Sequence, residues 1–307
     1  MNPPRVDPGQ RGRVLKEWLV AFLARGLSRL PFALAQGLGW LAGLIMARVP
    51  NKQRRNSLIN ICLCHPDWIR AEALRFRDRS LREEAKTFAE IAYLLLRPVP
   101  RVLALIRETY GLEWLERGGG KGLIVLSPHL GAWEMAGLYL STLGPTTTLY
   151  KPQPLGDDMV RRARSRGGAD LVPTDQAGIR RLLQALRRGE YLGILPDQEP
   201  KGDKGAVFAP FFGVPALTML LVNRLALKTG AQVVFLFARR LPWGRGFALH
   251  CLPAPAGVYA ENEVEAAQAL NQGVEACVNT CPEQYLWSYK RFRTRPDGGP
   301  HAYRGRL

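Results

Sequence analysis

From Gly111 onward, short apolar runs alternate with amphipathic stretches, and no other feature restricts the fold as much. The apolar runs are Gly122–Ser127, Thr146–Tyr150, Ala169–Val172, Tyr191–Leu195, Gln232–Ala238 and Phe247–Leu252. Between or after them lie the helical patterns Ala132–Leu143, Asp157–Arg166, Gln176–Arg188, Ala216–Thr229 and Glu261–Thr280. Strands alternating with helices of this length predict the α/β class, with a mainly parallel sheet flanked by helices on both faces. Sheets of that kind place their sites outside the carboxyl ends of the strands.

Ahead of this core, Asn51 to Arg107 has helical periodicity. Leu74, Leu81, Phe88, Ile91 and Leu95 recur at helical spacings opposite a charged face, and Pro98 and Pro100 end the pattern. The expected organisation is an N-terminal segment, 1–50, then a domain over 51–296 with a helical lead-in (51–110) and an α/β core (111–296). A Gly- and Pro-rich tail, 297–307, is expected to be loose.

The N-terminal segment points to a membrane. Leu30 to Ala47 is eighteen residues without a charge, just short of the roughly 20 that a span requires. Before it, Lys16–Arg29 sets Trp18, Leu19, Phe22 and Leu23 beside Arg25 and Arg29, the pattern of a basic amphipathic helix lying in an interface. A full span with the domain in the cytoplasm would leave Arg5, Arg11, Arg13, Lys16, Arg25 and Arg29 outside, against the positive-inside tendency. A shallow or re-entrant anchor is the expectation; a true span and a buried helix pair stay open. Gly37-x-Gly39-x-x-Ala42 has no preceding strand, so it is read as small residues permitting close helix contact, not as a dinucleotide fingerprint.

Lys and Arg number 43 against 26 Asp and Glu, a formal charge of +17. Such a field favours a polyanionic partner without choosing between nucleic acid, an anionic membrane and an acidic carrier protein. The five cysteines are odd in number and form no disulfide framework. Cys62-x-Cys64-His65 has no second cluster to complete a metal site, so no metal is expected.

The chemistry concentrates at one turn. The first core strand ends in Leu126-Ser127-Pro128, and His129-Leu130-Gly131-Ala132-Trp133-Glu134 opens the next helix. Five residues along one regular helix would separate His129 from Glu134 by about 140°. They can meet if His129 lies in the turn and Glu134 on the first helical turn. An imidazole beside a carboxylate is a general base with a fixed tautomer. No Gly-x-Ser-x-Gly elbow or nearby cysteine offers a protein nucleophile. The simplest reaction is therefore attack by a substrate hydroxyl deprotonated by His129, with the helix's first amides as oxyanion donors. A histidine that only caps the helix is the alternative.

This His-x-x-x-x-Glu signature, in the form His-Leu-Gly-Ala-Trp-Glu, resembles that of the bacterial lipid A biosynthesis acyltransferases, the late lauroyl/myristoyl transferases of the lysophospholipid acyltransferase superfamily. Further similar blocks are Leu149-Tyr150-Lys151-Pro152, Pro196-Asp197-Gln198, Lys204-Gly205, Phe211-Phe212-Gly213-Val214-Pro215, Tyr285-x-Trp287, and Lys290 to Pro296. The resemblance spans roughly residues 15 to 296. It implies a glycerolipid-acyltransferase-like fold, an acyl-carrier-protein thioester as donor, and a lipid A precursor as acceptor. It also implies work at the cytoplasmic face of the inner membrane, with no cofactor and no nucleic acid. His129 matches the base and Glu134 its charge partner. Arg166 matches a functional arginine, with Arg164 as competitor, and Asp197 matches the family's Asp-Gln. Lys151 stands where Arg is expected and lacks Arg's bidentate fork.

Arg166, Arg164 and Lys151 are read as clamps for substrate anions, and Asp197 as a residue orienting a clamp, against solvated-surface and turn-forming alternatives. Phe211, Phe212, Val214 and Leu217 suit either an acyl groove or the core. Two other functions remain. One is acyl transfer to a lysophospholipid, glycolipid or aminolipid, with acyl-CoA as a possible donor. The other is a non-catalytic basic membrane- or RNA-binding protein, which leaves the ordered His–Glu pair without a purpose.

Overall fold

The computed structural model describes residues 8–116, 121–152, 156–200, 202 and 205–304, with side chains from Trp18 onward. Arg5, Lys204 and the side chains of Arg11, Arg13 and Lys16 lie outside the described residues. Five helices open the chain: α1 (Pro8–Arg29), α2 (Phe32–Arg48), α3 (Lys52–Cys64), α4 (Arg70–Leu96) and α5 (Val99–Leu103). The core follows as β1 (Ile106–Tyr110), β2 (Leu123–Leu126), α6 (Trp133–Leu143), β3 (Thr146–Leu149), α7 (Asp157–Ser165), β4 (Ala169–Val172), α8 (Gln176–Arg187) and β5 (Tyr191–Ile194). It ends with β6 (Ala206–Phe211), β7 (Val214–Met219), α9 (Leu221–Thr229), β8 (Gln232–Arg240), β9 (Phe247–Pro253) and α10 (Glu263–Thr280).

Seven strands form one sheet in the order β1-β9-β8-β2-β5-β3-β4. All neighbours are parallel except β8 and β9, so the mainly parallel sheet flanked by helices is as expected. Successive residues of β2 serve opposite faces. Ile124 and Leu126 pack with Leu58, Leu182, Leu225 and Leu270 from α3, α8, α9 and α10. Leu123 and Val125 pack with Leu94, Val102 and Met135 from α4, α5 and α6. This double burial is why the central strands read as unbroken apolar runs.

Two regions correct the sequence expectation. Ile106–Tyr110 lies inside the expected helical lead-in but forms edge strand β1, paired on one side with β9. Its five residues, Ile-Arg-Glu-Thr-Tyr, set up no alternation of apolar and polar side chains that would mark a strand after a long helical stretch. The helix expected from Ala216 begins only at Leu221, because Val214–Met219 is the second strand of a separate antiparallel hairpin, β6–β7. Phe212 and Gly213 turn that hairpin with φ of 48° and 77°, the left-handed geometry of a tight two-residue loop. Phe211 and Leu217 are buried in the core on the α8–α10 face of the sheet.

Helix α4 contributes Ala73 and Phe76 to one core cluster and Leu94 to the other, so it passes over an end of the sheet. There Arg240, the last residue of β8, is buried against Glu90 at 2.5 Å and Glu83 at 2.8 Å. Burial opposes its charge, but these two carboxylates win and push its pKa up. Helix α2 lies directly on α4: a Cβ at Gly39 would stand 2.7 Å from the Lys86 Cα, and one at Gly43 2.4 Å from the Arg82 Cα. These are the small residues that close packing requires; Gly37 meets nothing.

No single helix among the described residues is long and apolar enough to cross a membrane; α2 and α3, bent by 78°, meet the length and composition only as a pair. Residues Asn56–Ile61 of α3 are buried, and Asn60 donates to the carbonyls of Trp287 and Tyr289 at 2.7 and 2.6 Å. On α1 and α2, Trp18, Phe22, Leu34, Leu38, Leu41 and Ile45 are exposed. The tail expected to be loose is docked as far as Tyr303, which is buried and bonds to Asn60 and the Phe292 amide.

Candidate active site

The parallel register of β2 and β5 builds the centre of the site. Leu126 lies opposite Ile194, and the Ser127 amide continues the ladder to the Ile194 carbonyl at 2.9 Å. Three residues beyond each paired position stand His129 and Asp197. The His129 Nδ1 lies 2.8 Å from Asp197 Oδ1, and the His129 amide donates to Asp197 Oδ2 at 2.9 Å. On the other side of the ring, Gln198 Nε2 lies 3.0 Å from His129 Nε2. One tautomer satisfies both contacts: Nδ1–H donates to Asp197, and the Nε2 lone pair accepts from the Gln198 amide. Burial alone would raise the Asp197 carboxyl; the imidazole and amide of His129 hold it below the usual carboxylate range.

The turn is fixed from several directions. Gly131 has φ of +57°, and a Cβ there would lie 2.2 Å from the Ala238 carbonyl oxygen, so both backbone angle and space demand glycine. Its amide donates to the Gln284 carbonyl at 3.0 Å, and Ala132 donates to Ala238 at 2.9 Å. The Gln284 side chain pairs with the backbone of Arg240 through both its oxygen and its nitrogen. The C-terminal strip thus braces the turn, as the Leu130–Tyr285 bridge also shows.

Glu134 lies on the first turn of α6, as expected, but it is not the partner of the imidazole. Arg164, near the end of α7, grips it with Nε at 3.0 Å and Nη2 at 2.5 Å. Burial works against the Arg164 charge, but Glu134 outweighs it and raises its pKa. The expected His129–Glu134 pairing is therefore corrected to His129–Asp197 and Glu134–Arg164. The helix after His129 aims Glu134 toward α7, whereas strand pairing brings Asp197 under the ring. Trp133 covers the imidazole, with ring centres 5.2 Å apart.

The remaining expected residues divide. Arg166 caps α7 and gives its guanidinium to the carbonyls of Leu94 and Arg97, tying down the end of α4. Of the two competing arginines, Arg164 is the one that meets a carboxylate of the site. Lys151 follows β3 and Tyr150 on the exposed surface. Behind Glu134 and Arg164 lies a cavity of about 70 Å³, walled mainly by apolar groups such as Val125, Ala136, Leu138 and Leu236. Ser127 lines this cavity, and its hydroxyl is buried without a hydrogen-bond partner among the described residues. Phe211, Phe212, Val214 and Leu217 are not among its walls.

Sequence reasoning missed the roles of Gln198 and Gln284. Gln198 sits in a noticed block, but only strand order shows that it reaches the imidazole. Gln284 carries no local signal.

The model of the bacterial lipid A biosynthesis acyltransferase family matches residues 10–294. The chain belongs to this family. A lipid A biosynthesis acyltransferase of Haemophilus influenzae is 30% identical over 286 residues, covering 92% of this chain and 88% of the relative. The lipid A biosynthesis lauroyltransferase of Escherichia coli is 27% identical over 93% of this chain and 92% of its own. The myristoyltransferase of the same organism is 26% identical over 94% and 90%. This family member is thus an acyltransferase of lipid A synthesis, and the His129 turn is its candidate catalytic centre.

Proposed function

We propose that the protein transfers a fatty acyl chain from an acyl-carrier-protein thioester to a hydroxyl of a lipid A precursor, at the cytoplasmic face of the inner membrane. The observation that carries this reading is the imidazole held at Nδ1 by Asp197, with Nε2 on the opposite side of the ring. The substrate hydroxyl displaces the Gln198 amide from Nε2. Its oxygen attacks the thioester carbonyl carbon while its proton passes to Nε2. Asp197 steadies the imidazolium that forms. The amides of Trp133 and Glu134, first in α6 and without acceptors inside the helix, are the donors for the tetrahedral oxyanion. Collapse breaks the C–S bond, and the departing thiolate takes the proton back from the imidazolium. Glu134 and Arg164 shape the mouth of the apolar cavity, which receives the acyl chain. The exposed apolar residues of α1 and α2 favour a membrane surface as the workplace.

The test is a turnover assay with the detergent-solubilised protein. Acyl-carrier-protein thioesters are offered with a tetraacylated lipid A precursor and, in parallel, with a lysophospholipid. Transfer to the precursor, lost in His129→Ala, is the expected result. Transfer to lysophospholipid alone would move the acceptor; transfer to neither would overturn the assignment.

A further inference from the structure

We propose that the cleft between α2 and α4 is a binding site for the phosphate of an anionic phospholipid in the bilayer surface, separate from the His129 site. It rests on the reading of the chain as a membrane-surface enzyme. The cleft has a volume of about 260 Å³, and Arg48, Arg75, Arg79 and Arg82 line it with a single carboxylate, Asp78. Asp78 is already held by Arg77 at 2.6 Å and lies 3.6 Å from Arg48. Arg79 also meets Glu283 at 3.3 Å, yet half of its side chain remains exposed. Arg75, Arg79 and Arg82 follow one another at helical spacings on α4, where like charges weaken a helix. Several guanidinium groups converging on a concave surface form a recognition site for phosphate oxygens.

The surroundings identify the bilayer as the source of that phosphate. Leu34, Leu38, Leu41 and Ile45 are exposed at alternating spacings of four and three along α2. The next step of the same stripe is Arg48, whose side chain is 70% exposed at the cleft. An apolar helix face that ends in an arginine cluster matches acyl tails beside their headgroups. A free phosphate or a soluble acidic protein has no use for the stripe.

The experiment is flotation of the full-length protein with vesicles of phosphatidylcholine alone, or of phosphatidylcholine mixed with phosphatidylglycerol. Wild type is compared with Arg48→Gln/Arg75→Gln/Arg79→Gln and with a charge-matched control, Arg180→Gln/Arg181→Gln/Arg187→Gln, on α8. Each basic residue near an anionic surface strengthens binding about fivefold. The cleft variant should therefore lose on the order of a hundredfold in affinity for the mixed vesicles, the control less than about tenfold, and kcat in detergent should hold in both. Equal losses in the two variants would leave a diffuse charge field and overturn the cleft. So would wild-type binding that is equal on both vesicles, although the membrane reading would survive it. Wild type that floats with neither vesicle would remove the membrane reading as well. Unchanged vesicle binding with a raised KM for the lipid A precursor, or for the acyl carrier protein, would assign the cleft to that substrate instead and overturn the phospholipid.

Discussion

Asp197 and Glu134 sit at the same site, each bonded through both oxygens, yet they face different partners. Asp197 holds a group that can take up and release a proton; Glu134 holds a guanidinium that stays charged at any working pH. Both carboxylates are largely buried, with side-chain exposures of 3% and 9%. Burial therefore does not distinguish them; the partner does. In the proposed reaction the first pair moves protons, and the second fixes shape and charge in the wall of the apolar cavity.

The largest effects are expected at the first pair. His129→Ala removes the base and should lower kcat by about 10²–10⁴-fold. Asp197→Asn keeps the size of the side chain but loses its charge and no longer selects the Nδ1–H tautomer. Its kcat should fall by about 10²–10⁴-fold too, as in comparable acid–imidazole pairs. The His129→Ala/Asp197→Asn double variant should be little worse than His129→Ala, because the two act as a unit. Steady-state kinetics on the three proteins decide it. A near-normal kcat in Asp197→Asn would return the imidazole to Glu134 and break the comparison.

The second pair should respond in stability as well as rate. Glu134→Ala strands the Arg164 guanidinium, whose side chain is 24% exposed. This should cost about 2–4 kcal/mol of folding stability, toward the lower end of what breaking a buried pair costs because water screens part of it. Adding Arg164→Ala should recover much of that stability without restoring turnover, a non-additivity that denaturant melts of the single and double variants would reveal. Additive losses would mean that the bidentate pair contributes nothing as a pair. The sequence reading placed no arginine against this carboxylate; it paired Glu134 with His129 instead.

That mistake marks the boundary of what the sequence disclosed. The turn, the strand end and the first helical turn were legible because Pro128, Gly131 and the apolar run lie within ten residues of one another. Six of the seven strands of the main sheet were legible for the same local reason. The pairing of His129 was not, because it depends on β5 lying beside β2, and that adjacency skips two intervening strands. Asp197-Gln198 stood out as a block whose target was invisible. Arg166 was favoured over Arg164 on position alone; which of two residues points at Glu134 is set by how α7 rests on α6. The second strand of the hairpin was hidden because Ala216–Val222 is apolar except for Thr218, and neither period dominates in so short a run.

A third carboxylate extends the comparison to the case with no basic partner among the described residues. Glu84, on α4, is buried; Ser288 donates to its Oε1 at 2.6 Å, and its Oε2 has no hydrogen-bond partner among the described residues. Burial pushes its pKa from 4.5 up to about 7, against the opposing pull of the Ser288 hydroxyl. The sign follows from linkage. With the folded value above the unfolded one, the protonated acid supports the fold fully below about 4.5. That support is lost as the pH climbs to about 7, and above this the penalty is constant at about 3 kcal/mol. Glu84→Gln keeps the shape and cannot ionise. It should leave stability nearly unchanged at pH 4 and raise it by up to about 3 kcal/mol at pH 8. A stability difference that does not change between the two pH values would show that the fold does not raise this carboxyl above its unfolded value, and would overturn the burial argument.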